Sequence, residues 1–443
     1  MKTLIKNVTV LTMDKEKTEY PDGYVILDEG KIDSVGFCQD LEQRQIESAD
    51  MCVDGEQGIV LPGMVNVHSH IAMIPFRSLG DDCPDRLRRF LFPLELEAMT
   101  PQLVYTATQY GAAELLLSGV TSVLDMYYFE DQAARACENM GIRAWVGETV
   151  IGQATCDSPK PYGGLELCRK FLKDWSGHSR IHPFVAPHAT NTNSAEMLKA
   201  SYDLALEFDS LYSLHVSEMD YEMDFFQEKY GKTPIEFLND LGVLGPKTIA
   251  AHCIHANERD ISLLAKKNAK VAHCVVANTK AGKGICPVKE MVEQGVTVGI
   301  GSDGPSSGNT LDLFTQLRAA ACFQKTKYHD RSLFPARQLV EMATRGGCAV
   351  LGAENEIGSI EAGKKADLVL LETGSVNMFP VYDPYSAICY SANASNVHSV
   401  WVDGKKLVED HKLTKHSLYH LRQDLEREMG AFRRMAEKYA DIR

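Results

Sequence analysis

Leu61-Pro62-Gly63-Met64-Val65-Asn66-Val67-His68-Ser69-His70 is an apolar run that ends in two histidines one residue apart. Side chains on a strand alternate faces, so residues i and i+2 point the same way. His68 and His70 therefore leave the end of one strand together. Two converging imidazoles suit Zn, Fe or Ni; a pair of hydrogen-bonded surface histidines is the plainer alternative. The pattern of the downstream chain decides between them.

After the two histidines, strand-like runs alternate with amphipathic helical patterns. Strands are expected at 119–126, 142–150, 181–186, 211–216, 248–251, 269–274 and 296–302. Helices are expected at 101–117, 131–140, 165–175, 195–208, 234–241, 258–267, 288–294, 311–322 and 335–351. About eight β-then-α units imply a parallel sheet with right-handed crossovers, closed as a (β/α)₈ barrel with its active site at the C-terminal strand ends. An open doubly wound sheet would carry a Gly-rich phosphate loop after its first strand, and none is present. The fold class expected is α/β, a TIM barrel over 61–356.

Either side of the barrel the texture is β. Runs at 3–11, 24–27 and 32–35 before it, and 358–371 and 397–408 after it, predict one small discontinuous β-sandwich domain built from 1–60 and 357–415. Residues 416–443 read as a C-terminal packing helix, with Leu418, Leu421, Leu425, Met429, Phe432 and Ala436 at helical spacing.

The 443 residues carry a net charge of −14, with 44% hydrophobic and 24% charged side chains. The acidic balance argues against a nucleic-acid partner, which calls for a basic patch. No stretch approaches the roughly 18 apolar residues of a membrane helix. Twelve scattered cysteines without a C-x-x-C pair, and no signal-peptide core at the N-terminus, suit a reduced, cytoplasmic protein.

The chemistry-bearing residues fall at strand ends. The fifth strand ends in His215, the sixth in His252, and the eighth runs into Asp303 before a Gly-Pro turn. Four strand ends then offer metal-type ligands to one rim. On these residues the chain resembles the amidohydrolase superfamily. The stretches 62–70, 91–95, 251–255 and 301–307 are most similar to its methylthioadenosine/S-adenosylhomocysteine deaminases and s-triazine chlorohydrolases.

The resemblance implies a role for each residue. His68, His70, His215 and Asp303 would hold one divalent metal, Zn²⁺ first and Fe²⁺ second. A second metal would require a lysine or glutamate at the fourth strand end, which reads Phe184-Val185-Ala186-Pro187-His188. Asp303 would also accept a proton from the metal-held water, His252 would contact that water or the developing oxyanion, and Glu218 would shuttle a proton to the ring. Two acids in distinct positions are expected, because one carboxylate cannot easily serve both the metal and a distant nitrogen. Glu95 would bind ribose hydroxyls, an ordinary helix acid being the plainer reading, and His188 would lie against the substrate. Glu148 stands where related deaminases keep an arginine, and Gly164 lies in a loop without the arginine often found there. Met73, Phe76 and Phe92 could line a ring pocket or simply pack in the core.

The expected function is hydrolytic deamination of an N-heteroaromatic ring, with adenosine-like nucleosides leading. Guanine, pterin or s-triazine aminohydrolysis or dechlorination, and a non-catalytic small-molecule-binding barrel, are the alternatives. A homo-oligomer, dimer or tetramer, is the family-level expectation.

Overall fold

The computed structural model describes residues 2–439. The chain forms two compact units. One comprises Met1–Asn66, Glu114–Ser122 and Asp312–Lys415; the other comprises Val67–Ala113, Val123–Leu311 and His416–Arg443.

In the first unit both chain ends contribute to one nine-stranded sheet. Strand Thr3–Leu11 pairs antiparallel with Glu19–Asp28 and parallel with Ile59–Pro62. Leu368–Leu371 pairs antiparallel with Ile59–Pro62 and with Val397–Val402. The expected sandwich is thus a single hydrogen-bonded sheet. It curls until Lys31 bridges Lys365, and Ile5, Val10, Val25, Val60, Leu368 and Trp401 fill the space inside.

The barrel sheet has eight strands in chain order: Met64–Ser69, Val120–Tyr127, Arg143–Val150, Ile181–Pro187, Tyr212–Val216, Thr248–His252, Lys270–His273 and Val298–Ile300. The third to the eighth pair parallel. Their near-continuous burial is what a parallel sheet covered on both faces requires. Between the eighth strand and the first, the Asp303 amide donates to the His68 carbonyl at 3.0 Å.

The intervening helices begin where side chains satisfy the first free amides. Ser194 caps Ala195–Glu207, and Thr233 with Glu236, and Asn257 with Asp260, form capping boxes on Pro234–Leu241 and Glu258–Lys267. A helix at Asp220–Tyr230 is not foreseen from the sequence.

The single helix expected at 335–351 is two, Ala336–Ala343 and Arg345–Leu351, broken at Thr344 (φ −122°, ψ −99°). The reason lies in Arg345-Gly346-Gly347: glycine weakens a helix interior, and a Cβ on Gly347 would lie 2.8 Å from the Val65 Cβ. In the second unit, helix Leu418–Glu437 buries Leu421, Leu425 and Phe432, while Leu418 is exposed. The Phe432 ring sits 4.8 Å from that of Phe76, so Phe76 packs in the core. Among the described residues no helix is long and apolar enough to cross a membrane.

The start of the first barrel strand depends on Gly63, whose Cβ would fall 2.0 Å from the Thr121 hydroxyl oxygen. Gly63→Ala is expected to lower stability by about 1–3 kcal/mol through overpacking, read as a depressed unfolding midpoint in urea.

Candidate active site

Everything in the site belongs to the unit that holds most of the barrel. His68 ends up buried at the first strand end and His70 one residue past it. His70 Nδ1 donates to the Met126 carbonyl at 2.6 Å, and His215 Nδ1 to the His188 carbonyl at 2.5 Å. Each backbone acceptor leaves the opposite nitrogen, Nε2, as a lone pair. Those two Nε2 atoms face each other at 3.3 Å, and Asp303 Oδ1 lies 3.3 Å from His70 Nε2. Lone pairs and a carboxylate converging at such distances call for a cation.

Among the described residues two groups have ligand atoms all within 4.8 Å of one another: His68 with His215 and His252, and His68 with His70 and Asp303. Neutral imidazoles and one carboxylate form a donor set that suits a divalent transition metal. Burial, reinforced by His70 for His68 and by His188 for His215, holds both imidazoles well below the usual histidine range. They are neutral and ready to ligate.

The eighth strand can approach the first because two glycines flank the aspartate. A Cβ on Gly301 would lie 3.0 Å from the His68 Cβ, and one on Gly304 would lie 3.0 Å from the His70 Cβ. Ser217, His252 and Asp303 have φ of 51°, 72° and 60°. Left-handed backbone at such residues costs roughly 1–3 kcal/mol each and persists where the surroundings enforce it.

A cavity of about 340 Å³ opens above the histidines. Glu218 lines it, its Oε1 3.7 Å from His252 Nε2 and 2.5 Å from Lys283 Nζ. Burial alone would raise the Glu218 carboxyl; the neighbouring His252 and Lys283 outweigh it and hold the group well below the carboxylate range. Beneath it, buried Glu222 accepts the Ser217 and Glu218 amides at 2.9 and 2.8 Å, which fixes the turn after the fifth strand. Asn278 Oδ1 accepts from His252 Nδ1 at 2.8 Å.

Glu95 also lines the cavity, on helix Phe92–Ala98, and accepts from the Tyr127 hydroxyl at 2.9 Å. Burial pushes its carboxyl up to about 8, against the opposing hydrogen bond. His188 lines the cavity with its Nδ1 3.0 Å from the Thr192 hydroxyl and its ring 5.5 Å from that of Phe92. Burial, then His70, lowers its pKa to about 4. Met73 and Phe92 line the cavity as well.

Glu148 does not join them. Strand alternation gives the cavity place to Thr149, and Glu148 Oε2 accepts the Glu130 amide at 3.0 Å behind the wall. The expected substrate contact of Glu148 is therefore withdrawn. Lys283, Glu222 and Tyr127 were missed from sequence. Only Tyr127, at the last position of the second strand, carried a positional signal; Lys283 lies in a loop and Glu222 on the unforeseen helix Asp220–Tyr230, both without a motif.

The amidohydrolase family profile matches residues 59–407. The chain is 36% identical over 413 residues to a 5-methylthioadenosine/S-adenosylhomocysteine deaminase of Syntrophus aciditrophicus, covering 93% of each chain. It is 35% identical over 414 residues to a 5'-deoxyadenosine deaminase of Methanosarcina barkeri, again covering 93% of each. The crystal structure of an adenosine deaminase from Xanthomonas campestris with bound zinc superposes with a TM-score of 0.93 at 28% identity, covering 98% of both chains.

His215→Ala is expected to lower bound metal per chain at least about tenfold, measured by elemental analysis after dialysis. Glu95 supplies a second test. Its folded pKa of about 8 exceeds the ordinary glutamate value of 4.5, so between those values the unfolded chain binds fewer protons and stability falls as pH rises. Glu95→Gln removes that loss. Its unfolding midpoint is expected to gain on the wild type from pH 4.5 upward and to level off above about 8, by an amount on the order of a few kcal/mol.

Proposed function

Because the chain belongs to the amidohydrolase family, a family of metal-dependent hydrolases, we propose that it deaminates the 6-aminopurine ring of adenosine-like nucleosides hydrolytically. The observation that carries this reading is a pair of acids in separate places on one cavity wall: Asp303 beside His70, and Glu218 beside His252. Ring deamination needs both, since one proton leaves water and another must reach a ring nitrogen some distance away.

The donor set His68, His70, His215 and Asp303 fits a single divalent metal, Zn²⁺ first and Fe²⁺ second. When bound, it supplies a Lewis acid that brings the pKa of a water to roughly 7. Asp303 is set to take a proton from the attacking water. Glu218, ionised at rest, takes the other proton of that water and hands it to the ring nitrogen beside the amino-bearing carbon, and the proton taken by Asp303 ends on the departing amine. The carbon–nitrogen bond breaks, a carbon–oxygen bond forms, and ammonia leaves. His252, held through Nδ1 by Asn278, turns Nε2 toward the oxygen as it joins the ring. His188 and Phe92 lie against the ring, and Glu95 with Tyr127 meets the ribose hydroxyls.

At the 5' end, substituents without a terminal carboxylate are favoured, with those of methylthioadenosine and 5'-deoxyadenosine leading. Arg86 lines the cavity, but its guanidinium is committed to the Leu79 and Ser306 carbonyls and to Asp81. The twelve cysteines are all free, which suits a reducing, cytoplasmic setting. A homo-oligomer belongs to the same reading, and light scattering measures it.

Metal-loaded protein mixed with methylthioadenosine or 5'-deoxyadenosine is expected to release ammonia. Silence across nucleosides, pterins and free bases would overturn the proposal, and halide release from a chlorotriazine would move it to dechlorination. Glu218→Gln is expected to keep its metal and lose roughly 10²–10⁴-fold in kcat; a normal rate would remove the shuttle role.

A further inference from the structure

Beyond helping to hold the Glu218 carboxyl low, Lys283 is given no contact to the substrate by the deamination chemistry, yet its ammonium sits in the reacting cavity beside Glu218. Its placement is set by the loop after the seventh strand. The Lys283 amide donates to the Asn278 carbonyl at 3.0 Å, and the Asn278 side chain holds His252. One short segment therefore sets His252 and Lys283 in register around Glu218.

An ammonium carries three donors. Among the described residues the hydrogen-bond acceptor of Lys283 Nζ is Glu218 Oε1 alone. The side chain lines the cavity and is 21% exposed, so its remaining donors are open to a ligand there. A ligand that covers them without offering an acceptor leaves a buried donor unpaired, at a cost of roughly 1–3 kcal/mol.

Ring chemistry gives the position of that partner, taking the deaminase reading as the premise. A six-membered ring nitrogen seated on Glu218 has two ring neighbours. One is the amino-bearing carbon, which faces the histidines. The substituent on the other lies within reach of Lys283. A carboxylate beside an ammonium is an acceptor next to a donor, and it complements a lactam edge, an N–H next to a C=O. An adenine-type edge offers a bare ring nitrogen next to C–H, which gives Lys283 nothing and requires Glu218 to bring its proton first.

The geometry points to Lys283 as a specificity-determining residue that selects a 2-oxo-6-aminopurine ring over the plain 6-aminopurine ring. The reaction keeps its balance: the 2-oxo-6-amino ring plus water gives the 2,6-dioxo ring plus ammonia, with one carbon–nitrogen bond broken and one carbon–oxygen bond formed.

The test compares ammonia release from 5'-deoxyadenosine and from its 2-oxo analogue by the metal-loaded full chain. The wild type is expected to favour the 2-oxo ring in kcat/KM by roughly tenfold or more, since a site built to hydrogen-bond a group discriminates against the analogue without it. Lys283→Met is expected to lower that ratio at least about tenfold, mainly through KM for the 2-oxo ring, and Lys283→Arg to retain most of it. A wild-type ratio at or below one overturns the inference and leaves the deaminase reading standing. The same holds if Lys283→Met keeps the wild-type ratio. Ammonia from neither ring removes both.

Discussion

The hydrogen bond from the Asp303 amide to the His68 carbonyl joins the last barrel strand to the first, and the site is assembled across it. On one side are the two histidines of the opening strand, on the other the carboxylate that completes the donor set. A Cβ at 301 or 304 would lie 3.0 Å from the Cβ of His68 or His70, so a side chain at either place would have to push the histidine by a few tenths of an ångström. Glycine at both places lets the strand ends approach without that displacement. Asp303 then adopts a left-handed backbone, and the cost is met by the contacts that closure brings.

Burial acts on every acid near the cavity, and its consequence depends on the company each keeps. Among the described residues Glu95 is paired only with a neutral hydroxyl, so burial wins and its carboxyl is pushed up to about 8. Glu218 is just as enclosed, but His252 and Lys283 reverse the sign. Two carboxylates driven apart in this way can divide the work, one holding substrate and the other moving protons. Behind the wall, burial raises Asp125 to about 7 and pushes Glu130 and Glu148 well above the carboxylate range. That inner layer ties backbone together: Asp125 accepts the Ile71 amide and Glu148 the Glu130 amide.

Much of this is legible in the residues alone. Helices 101–117, 234–241 and 258–267 can be read to the residue, because apolar period, proline or an N-cap, and a terminating residue agree locally. His68, His70, His215, His252 and Asp303 can be singled out because strand ends of a barrel share a rim. Glu148 misleads for a geometric reason. One position along a strand exchanges the cavity face for the helix face, and a motif match does not specify on which side a strand-end residue emerges. The break at Thr344 is hidden because Val65, which excludes a side chain at Gly347, lies far away in the chain.

The order of strands and helices, the ligand types at the strand ends, and hence the family and its chemistry are written into the residues themselves. Those properties reside in local periodicity and in residues that are informative one at a time. That Lys283 meets Glu218, that Asn278 orients His252, that Glu95 meets Tyr127 and that Glu148 faces away follow from how the chain packs. Each of these depends on two segments brought together by barrel closure. An interaction between distant side chains is set by the packing of the backbone between them, and no periodic pattern records it.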